Sequence, residues 1–424
     1  MQAKKKKNGA KVRSGLIAAL DVGTTKVCCL IARPGGADKP PRVVGIGHQA
    51  SRGLRAGVVV DMEGVEASLR AAVEAAEQMA GENIRHVVVN FPGVGVSSRM
   101  IAYEVAIGGH AIGDSDVRRV MDPAPALAER PEDYEMIHAL PVGYSIDGNR
   151  GVRDPRGMYG QRLGVNLHVV AVPGGPLRNL TTAVARCHLD VEQMVVAPYA
   201  SALASLVDDE VQLGVTLIDM GGGTTSVAVF FDGELVHTDC VPVGGVHVTN
   251  DIARGLSTPL AQAERLKTLY ASALPSPSDD REMITVPLIG EDGAGEPHQI
   301  PRSMLVGIVR PRIEEILEMV RQRLEAAGFD KVAGRRVVLT GGASQMSGVR
   351  EFTAQLLDRQ VRQGRPKTID GLAEAVSGPA FSTAAGLLAF ALKTPRAAEA
   401  AALQAGGPMP GRFGRLGQWL RENF

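Results

Sequence analysis

One short pattern occurs twice in this chain. Asp21-Val22-Gly23-Thr24-Thr25-Lys26-Val27 follows one apolar strand and opens another, and Asp219-Met220-Gly221-Gly222-Gly223-Thr224-Thr225-Ser226-Val227 does the same in the second half. Each copy reads as strand, glycine-rich turn with threonines, strand. An internal repeat of this kind points to a duplicated unit. Glycines let backbone N–H groups approach phosphate oxygens with no side chain in the way, and threonine hydroxyls add donors. An aspartate at the strand end can hold hydrated Mg²⁺, which neutralises β- and γ-phosphates. Two facing hairpins would clamp phosphates from both sides. Ordinary hairpins also use Gly and Thr, so a single copy decides little; two copies in the same Asp-to-Gly-to-Thr order favour the phosphate reading.

Two further patterns fit the same ligand. Val337-Val338-Leu339-Thr340-Gly341-Gly342-Ala343-Ser344 reads as a buried strand, a Gly-Gly turn and a helix N-terminus. Such a turn can lie flat against a nucleotide, and the helix start favours negative charge; a plain β-to-α loop has the same pattern. Glu264 and Lys267 lie three apart on one helix and share a face. They suit contacts to ribose and adenine, or a solvated salt bridge.

With 424 residues the chain holds two to four compact units, at roughly 100–200 residues each. Its 46 basic and 46 acidic residues cancel, which argues against general nucleic-acid binding. Cys28, Cys29, Cys187 and Cys240 have no metal-ligand spacing and are expected to be buried, in a reducing compartment. No apolar stretch reaches the roughly 18–20 residues of a membrane span. The basic run Lys4–Lys7 precedes Asn8-Gly9-Ala10 rather than a signal core, so the expected location is the cytosol.

Periodicity predicts strands at Gly15–Leu20, Lys26–Arg33, Arg42–His48 and Val87–Asn90, with a helix over Asp61–Gly81 between the last two. Residues 82–165 are turn-rich, with short strands and one helix near Asp114–Asp122, and read as an inserted subdomain. Strand Asn166–Val172 is expected to resume the parent fold. The second half shows a strand at Gly214–Asp219, a hairpin turning at Asp232-Gly233, helices at Thr249–Gly255 and Pro259–Ala271, a long amphipathic helix from Ser303 to Gly328, and a last helix over Phe381–Ala391.

The two hairpins and the late Gly-Gly turn resemble the actin, hexokinase and heat-shock chaperone ATPase superfamily. Within it the chain resembles the FtsA family of bacterial cell-division proteins over nearly all of residues 15–393. The resemblance is carried by His138-Ala139-Leu140-Pro141 with Asp147-Gly148, by Asp154-Pro155-Arg156-Gly157-Met158 with Gly160, and by Val241-Pro242-Val243-Gly244-Gly245 with Thr249 and Asp251-Ile252-Ala253. It implies an α/β, actin-like, duplicated two-domain fold. Subdomain 1A would take 15–81, 166–196 and 380–393, and an inserted subdomain 1C would take 82–165. Subdomain 2A would take 197–244 and 306–379, and 2B 245–305, after a disordered basic stretch at 1–14.

It also implies ATP and Mg²⁺ as cofactors. The candidate nucleotide residues are Asp21, Gly23, Thr24, Thr25, Lys26, Asp219, Gly221, Gly222, Gly223, Thr224, Thr225, Glu264, Lys267, Gly341, Gly342 and Ser344, with Asp21 and Asp219 on the metal through water. Filament formation, contacts of subdomain 1C with other division proteins, and docking of the FtsZ C-terminal tail on 2B and the helix after it, through Arg312, follow from the same resemblance. The implied location is the cytoplasmic face of the inner membrane at the septum. The chain departs from the family in two places. Phe91-Pro92-Gly93 replaces a serine-glycine pair, and Ala197–Leu206 holds no Glu or Gln to orient an attacking water. Ser201 is the polar residue there besides Tyr199 and Ser205, and a hydroxyl is a poor base. The expectation is at most weak ATP hydrolysis, with ATP acting as a conformational clamp. A small-molecule kinase of the same superfamily would need a carboxylate base near a substrate hydroxyl, which no residue obviously supplies; a chaperone would need a substrate domain after residue 393.

Residues 394–410 are Ala/Gly/Pro-rich and read as a flexible linker. In the final segment, 411–424, Phe413, Leu416, Trp419, Leu420 and Phe424 fall within an arc of roughly 140° of a helix. Arg412 flanks that arc and Arg415 lies opposite. The pattern fits an interfacial helix on an anionic lipid membrane, and Trp419 is the chain's single tryptophan. A terminal helix docked on its own domain would rarely need so long a linker. Deleting residues 411–424 is expected to abolish co-sedimentation with anionic liposomes and leave nucleotide binding intact; a truncated chain that still sediments removes the tether.

Overall fold

The computed structural model describes residues 15–34, 41–122, 131–290, 298–330, 334–367 and 369–393. Two five-stranded sheets carry the two hairpins. The first has the order β11-β6-β1-β2-β3, with β1 (Ile17–Val22), β2 (Lys26–Arg33), β3 (Arg42–Ala50), β6 (His86–Phe91) and β11 (Asp190–Val196). The second has the order β14-β13-β12-β17-β18, with β12 (Val215–Met220), β13 (Thr225–Phe231), β14 (Glu234–Val241), β17 (Arg336–Thr340) and β18 (Gln360–Gln363). In both, the repeat strand forms an antiparallel hairpin on one side and pairs parallel on the other, β1 with β6 and β12 with β17. The duplication read from the motif therefore extends to the sheets.

Each repeat strand is buried on both faces, which is why it reads as an unbroken apolar run. Ala18, Leu20 and Val22 face helices α1 (Met62–Ala80) and α3 (Gly174–Arg186). Ile17 and Ala19 face α10 (Ser382–Lys393). Helix α1 starts at Asp61, whose carboxylate accepts from Glu63 N, and stops at Gly81 in the left-handed region at φ 71°. It lies directly against β3 because Gly47 has no side chain: a Cβ there would sit 1.7 Å from the Ala72 carbonyl oxygen.

In the second half, Ile218 and Met220 pack beneath α6 (Gly245–Gly255), α7 (Leu260–Tyr270), α8 (Arg302–Ala326) and α9 (Val349–Leu357). Leu217 faces the other way, toward Ala202 of α4 (Ala197–Ser205) and Leu206 just after it. Helix α4 also sends Ala200 into the first core, so it lies between the two sheets. It crosses α10 in backbone contact: a Cβ on Gly386 would meet the Ala200 carbonyl oxygen at 1.6 Å. Helix α5 (Asp208–Leu213) follows α4, and Arg362 of β18 pairs with its buried Glu210. The turn at Asp232-Gly233 joins β13 to β14 with positive φ at both residues, as the hairpin signal predicts. Short pairs complete the description, β4 (Leu54–Arg55) with β5 (Val58–Val59) and β15 (Met283–Val286) with β16 (His298–Pro301).

The inserted unit is a four-stranded sheet, β7-β10-β8-β9, formed by β7 (Ser97–Ala106), β8 (Tyr134–Ile146), β9 (Asn149–Val152) and β10 (Arg162–Pro173), with α2 (Asp114–Val120) packed on it. Two expectations change here. Asn166–Val172 does not resume the parent sheet; it is the core of β10, between β7 and β8. Strand β6, expected inside the insertion, belongs to the first sheet. An apolar run announces a buried strand but not the sheet it enters; β10 was claimed by the long antiparallel strand β8. Cys28, Cys29 and Cys240 are buried as expected, whereas Cys187 is half-buried at the end of α3. Among the described residues, no helix is long and apolar enough to cross a membrane.

The inserted sheet meets β14 through a buried polar junction. Ser98 Oγ lies 2.8 Å from His168 Nε2 and 3.3 Å from His237 Nδ1, and accepts from Thr238 N at 3.1 Å. His237 stacks on Phe329 at 4.8 Å, with Asp239 nearby. His138 Nε2 accepts from Val196 N at 3.0 Å, against Tyr199 and Phe390. Burial holds all three imidazoles neutral, pushing His138 and His168 down to about 3 and lowering His237. The unfolded chain takes up these protons near pH 6.5 and the folded chain resists. The histidines' contribution to the unfolding free energy measured with urea is therefore expected to be flat above that pH and to fall below it, by up to about 1.4 kcal/mol per pH unit for each histidine. A profile flat down to pH 5 would contradict the neutral junction.

Candidate functional site

The first turn closes with Gly23 N donating to Lys26 O at 2.9 Å, and the second with Gly221 N donating to Thr224 O at 2.9 Å. The strand registers, Val22↔Val27 and Met220↔Thr225, agree. Gly23 thus corresponds to Gly221, Thr24 to Gly222, Thr25 to Gly223 and Lys26 to Thr224. The aspartates and first glycines repeat in space, but the two Thr-Thr pairs do not. This offset lets the turns interlock. A Cβ on Gly223 would lie 2.3 Å from Thr24 Oγ1, and one on Gly222 would lie 2.5 Å from Thr25 Cγ2. The threonines of one half occupy the space that the glycines of the other leave.

Each turn is also held from outside. Thr24 Oγ1 accepts from Gly57 N at 3.0 Å, and Thr25 O accepts from Ser51 N at 3.1 Å. Gly245 N and Val246 N, at the start of α6, donate to Gly221 O and Gly222 O at 3.0 and 2.8 Å. That approach needs Gly244, where a Cβ would be 2.6 Å from Gly221 O. Thr225 is buried and donates to Val243 O at 2.9 Å. Lys267 Nζ reaches Gly245 O (3.2 Å), Thr249 Oγ1 (2.9 Å) and Glu264 Oε2 (2.7 Å), and Thr249 donates to Glu264 at 2.5 Å. The Glu264–Lys267 pair is therefore anchored to the helix start that seats the second turn, rather than being a free surface bridge.

Behind the turns stand two buried carboxylates. Asp21 lies 3.5 Å from Lys26 Nζ, which also donates to Ala380 O and stands 4.1 Å from the centre of the Phe381 ring. Asp219 Oδ2 accepts from Ser201 at 2.5 Å and Thr383 at 3.3 Å. Burial raises the pKa of both, with Lys26 opposing at Asp21; at Asp219 the Ser201 hydrogen bond opposes and the charge of Asp21 adds to the rise. The third turn closes the site from the far side. Gly341, at φ 87°, would place a Cβ 2.4 Å from Asp219 Oδ1, and Gly342 faces Ala380. Ser344 points inward: it is 2% exposed, donates to Gly341 O at 2.7 Å and accepts from Gln363 Nε2 at 2.7 Å. Its hydroxyl holds the turn.

Three candidates lie elsewhere. Arg312, on α8, binds Asp251 of α6 through two nitrogens at 2.6 and 3.2 Å and also contacts Glu315. Tyr199 is packed against Phe230 with its hydroxyl pushed up to about 12 by burial, and Ser205 is buried at the end of α4. The tail residues Arg412, Phe413, Arg415, Leu416, Trp419, Leu420 and Phe424 lie outside the described residues. Sequence reasoning missed Thr383, Ala380 and Phe381 as neighbours of the hairpins; nothing local marks them, since they reach the site only by the final crossover.

A family model described as cell division protein FtsA matches residues 216–386, and one described as the SHS2 domain inserted in FtsA matches residues 93–171, the span of the inserted sheet. The cell division protein FtsA of Agrobacterium fabrum is 47% identical over 97% of this chain and 96% of its own length. The chain belongs to the FtsA family of cell division proteins. FtsA of Pseudomonas aeruginosa is 37% identical, covering 98% of this chain and 100% of its own, and that of Escherichia coli 32%, covering 96% and 98%. Solved structures share its actin-like fold. A chain of the PilM-PilN type IV pilus biogenesis complex superposes with a TM-score of 0.62 at 17% identity, covering 89% of this chain and 99% of that one. MreB 5 of Spiroplasma citri bound to AMPPNP gives 0.53 at 15%, covering 93% and 100%.

In this FtsA-family chain the Thr24–Gly223 contact is expected to couple the halves. Gly223→Ala should destabilise by about 1–3 kcal/mol through overpacking, and Thr24→Gly in the same chain should recover most of it. Additive losses in that double-mutant cycle, followed by urea unfolding, would show that the two turns do not touch.

Proposed function

We propose that this cell division protein binds ATP with Mg²⁺ between its interlocked hairpins, polymerises on the membrane, and tethers the FtsZ ring there. The observation that carries the reading is the meeting of Thr24 and Thr25 with Gly222 and Gly223, with Asp21 and Asp219 behind them. Phosphates entering between the turns displace these contacts, so nucleotide binding and the angle between the halves are linked. Gly23, Thr24, Thr25, Lys26, Gly221, Gly222, Gly223, Thr224 and Thr225 form the phosphate clamp. Glu264 and Lys267, fixed beside the second turn, and Gly341 and Gly342 beneath it, flank the nucleoside. Solved MreB 5 structures with this fold are bound to ADP and AMPPNP, which supports the ligand class.

The carboxylates of Asp21 and Asp219 suit Mg²⁺. They are hard oxygen acceptors at the two strand ends, close enough for the charge of Asp21 to act on Asp219. The metal would supply charge neutralisation for the phosphates. The hydroxyl of Ser201 donates to Asp219 and is too weakly basic to serve as a general base for an attacking water. Turnover is accordingly slow, and ATP works as a clamp.

Arg312 is the proposed contact for the FtsZ C-terminal tail, on the α6–α8 surface; inserted-sheet contacts serve other division proteins. Residues 411–424 are the proposed lipid anchor, and polymerisation multiplies their individually weak attachment. Asp219→Ala is expected to lose Mg²⁺-dependent binding of a fluorescent ATP analogue by tenfold or more, roughly the cost of a lost charged contact. Equal affinity in the variant removes the metal role. Filaments that form on lipid monolayers irrespective of nucleotide, seen by electron microscopy, would count against the clamp.

A further inference from the structure

Asp219 is gripped by two hydroxyls from outside its own sheet. Ser201 comes from α4 and Thr383 from α10, the two helices that cross in backbone contact at Ala200 and Gly386. Their mutual distance is 2.9 Å, and Ser201 is fully buried. A hydroxyl has a single proton and two acceptor sites. Ser201 commits its proton to Asp219 Oδ2 at 2.5 Å. Thr383 is then the donor to Ser201 Oγ, with its 3.3 Å contact to Asp219 as the weaker branch. The run is Thr383 to Ser201 to Asp219, with every proton directed at the carboxylate. The other oxygen, Oδ1, is confined by Gly341, where even a methyl group would clash.

We propose that Ser201 and Thr383 are positioning residues for Mg²⁺-nucleotide binding. They fix the plane of the Asp219 carboxylate, and so determine how much the metal adds to nucleotide affinity. The proposal rests on the reading of Asp219 given above. Ser201 is thus a part of the site although it touches neither phosphate nor metal. Ser201→Ala removes one oxygen from a fully buried position. Thr383 belongs to a helix packed on the first sheet and Asp219 to a strand of the second, so the network joins the two sheets.

The test uses the full-length chain and its variants Ser201→Ala, Thr383→Val and Thr383→Ser. Affinity for a fluorescent ATP analogue is measured in EDTA and then across a Mg²⁺ titration, with urea unfolding in parallel. Expected for Ser201→Ala is a Mg²⁺-dependent gain reduced about tenfold, the scale of one charge-assisted hydrogen bond, over and above any change seen in EDTA or in the urea midpoint. Thr383→Val should lose less, and Thr383→Ser, which keeps the hydroxyl, should match the parent. A full Mg²⁺ gain in Ser201→Ala overturns the proposal. So does a loss that appears equally in EDTA and tracks the urea midpoint, because that is a structural role only. If the parent chain binds the analogue without any response to Mg²⁺, the metal reading of Asp219 fails, and this proposal falls with it.

Discussion

Two threonines seated against two glycines join the halves of this protein at the centre. Thr24 and Thr25 fill the space that the absent side chains of Gly222 and Gly223 leave. That fit sets the separation of the first and second sheets and brings Asp21 within electrostatic reach of Asp219. It depends on sequence divergence between the copies. Had both kept threonines at these positions, the turns would collide; had both kept glycines, nothing would fill the gap. Duplication supplied two equivalent hairpins, and the difference between them made a joint.

Around that joint, helix starts and backbone amides take over what the turns cannot do alone. The first residues of α6 satisfy the carbonyls of the second turn, and Lys267, Thr249 and Glu264 hold that helix in place. On the other side Lys26 spans from Asp21 to Ala380 and Phe381, tying the first hairpin to the chain's last crossover. The crossing of α4 and α10 lies behind Asp219, and its hydroxyls reach the carboxylate that the hairpins leave exposed to the interior. The inserted sheet is continuous with the first half in sequence but is fastened to β14 of the second through Ser98, His168 and His237.

Much of the architecture could be read from local pattern. The limits of β2, the helix from Met62 to Ala80, the long helix to Ala326 and the Asp232-Gly233 turn agree with periodicity and turn chemistry to within a residue or two. Candidate residues Asp21, Gly23, Asp219, Gly221 and Gly341 do converge. Several readings went differently, each for a physical reason. Asn166–Val172 joined the inserted sheet because strand pairing depends on a partner, β8, remote in sequence. The Asp-to-Gly-to-Thr order read in both turns stands, but their Thr-Thr pairs are offset in space, because register is counted from the strands and not from matching letters. Ser344 turned into the core, where Gln363 and Gly341 take its hydroxyl. Cys187 stayed half-exposed because it ends a helix.

The sequence by itself determined the elements and the chemistry they can offer. Apolar period, caps and glycine turns act over a few residues, so the strands, helices, duplicated hairpins and acidic strand ends are all written locally. Only the tertiary structure decided which strands share a sheet, which side chain fills which gap, and which groups reach Asp219. Those outcomes bring together positions such as Ser201, Asp219 and Thr383, and no local propensity specifies a meeting between residues that the chain itself keeps so far apart.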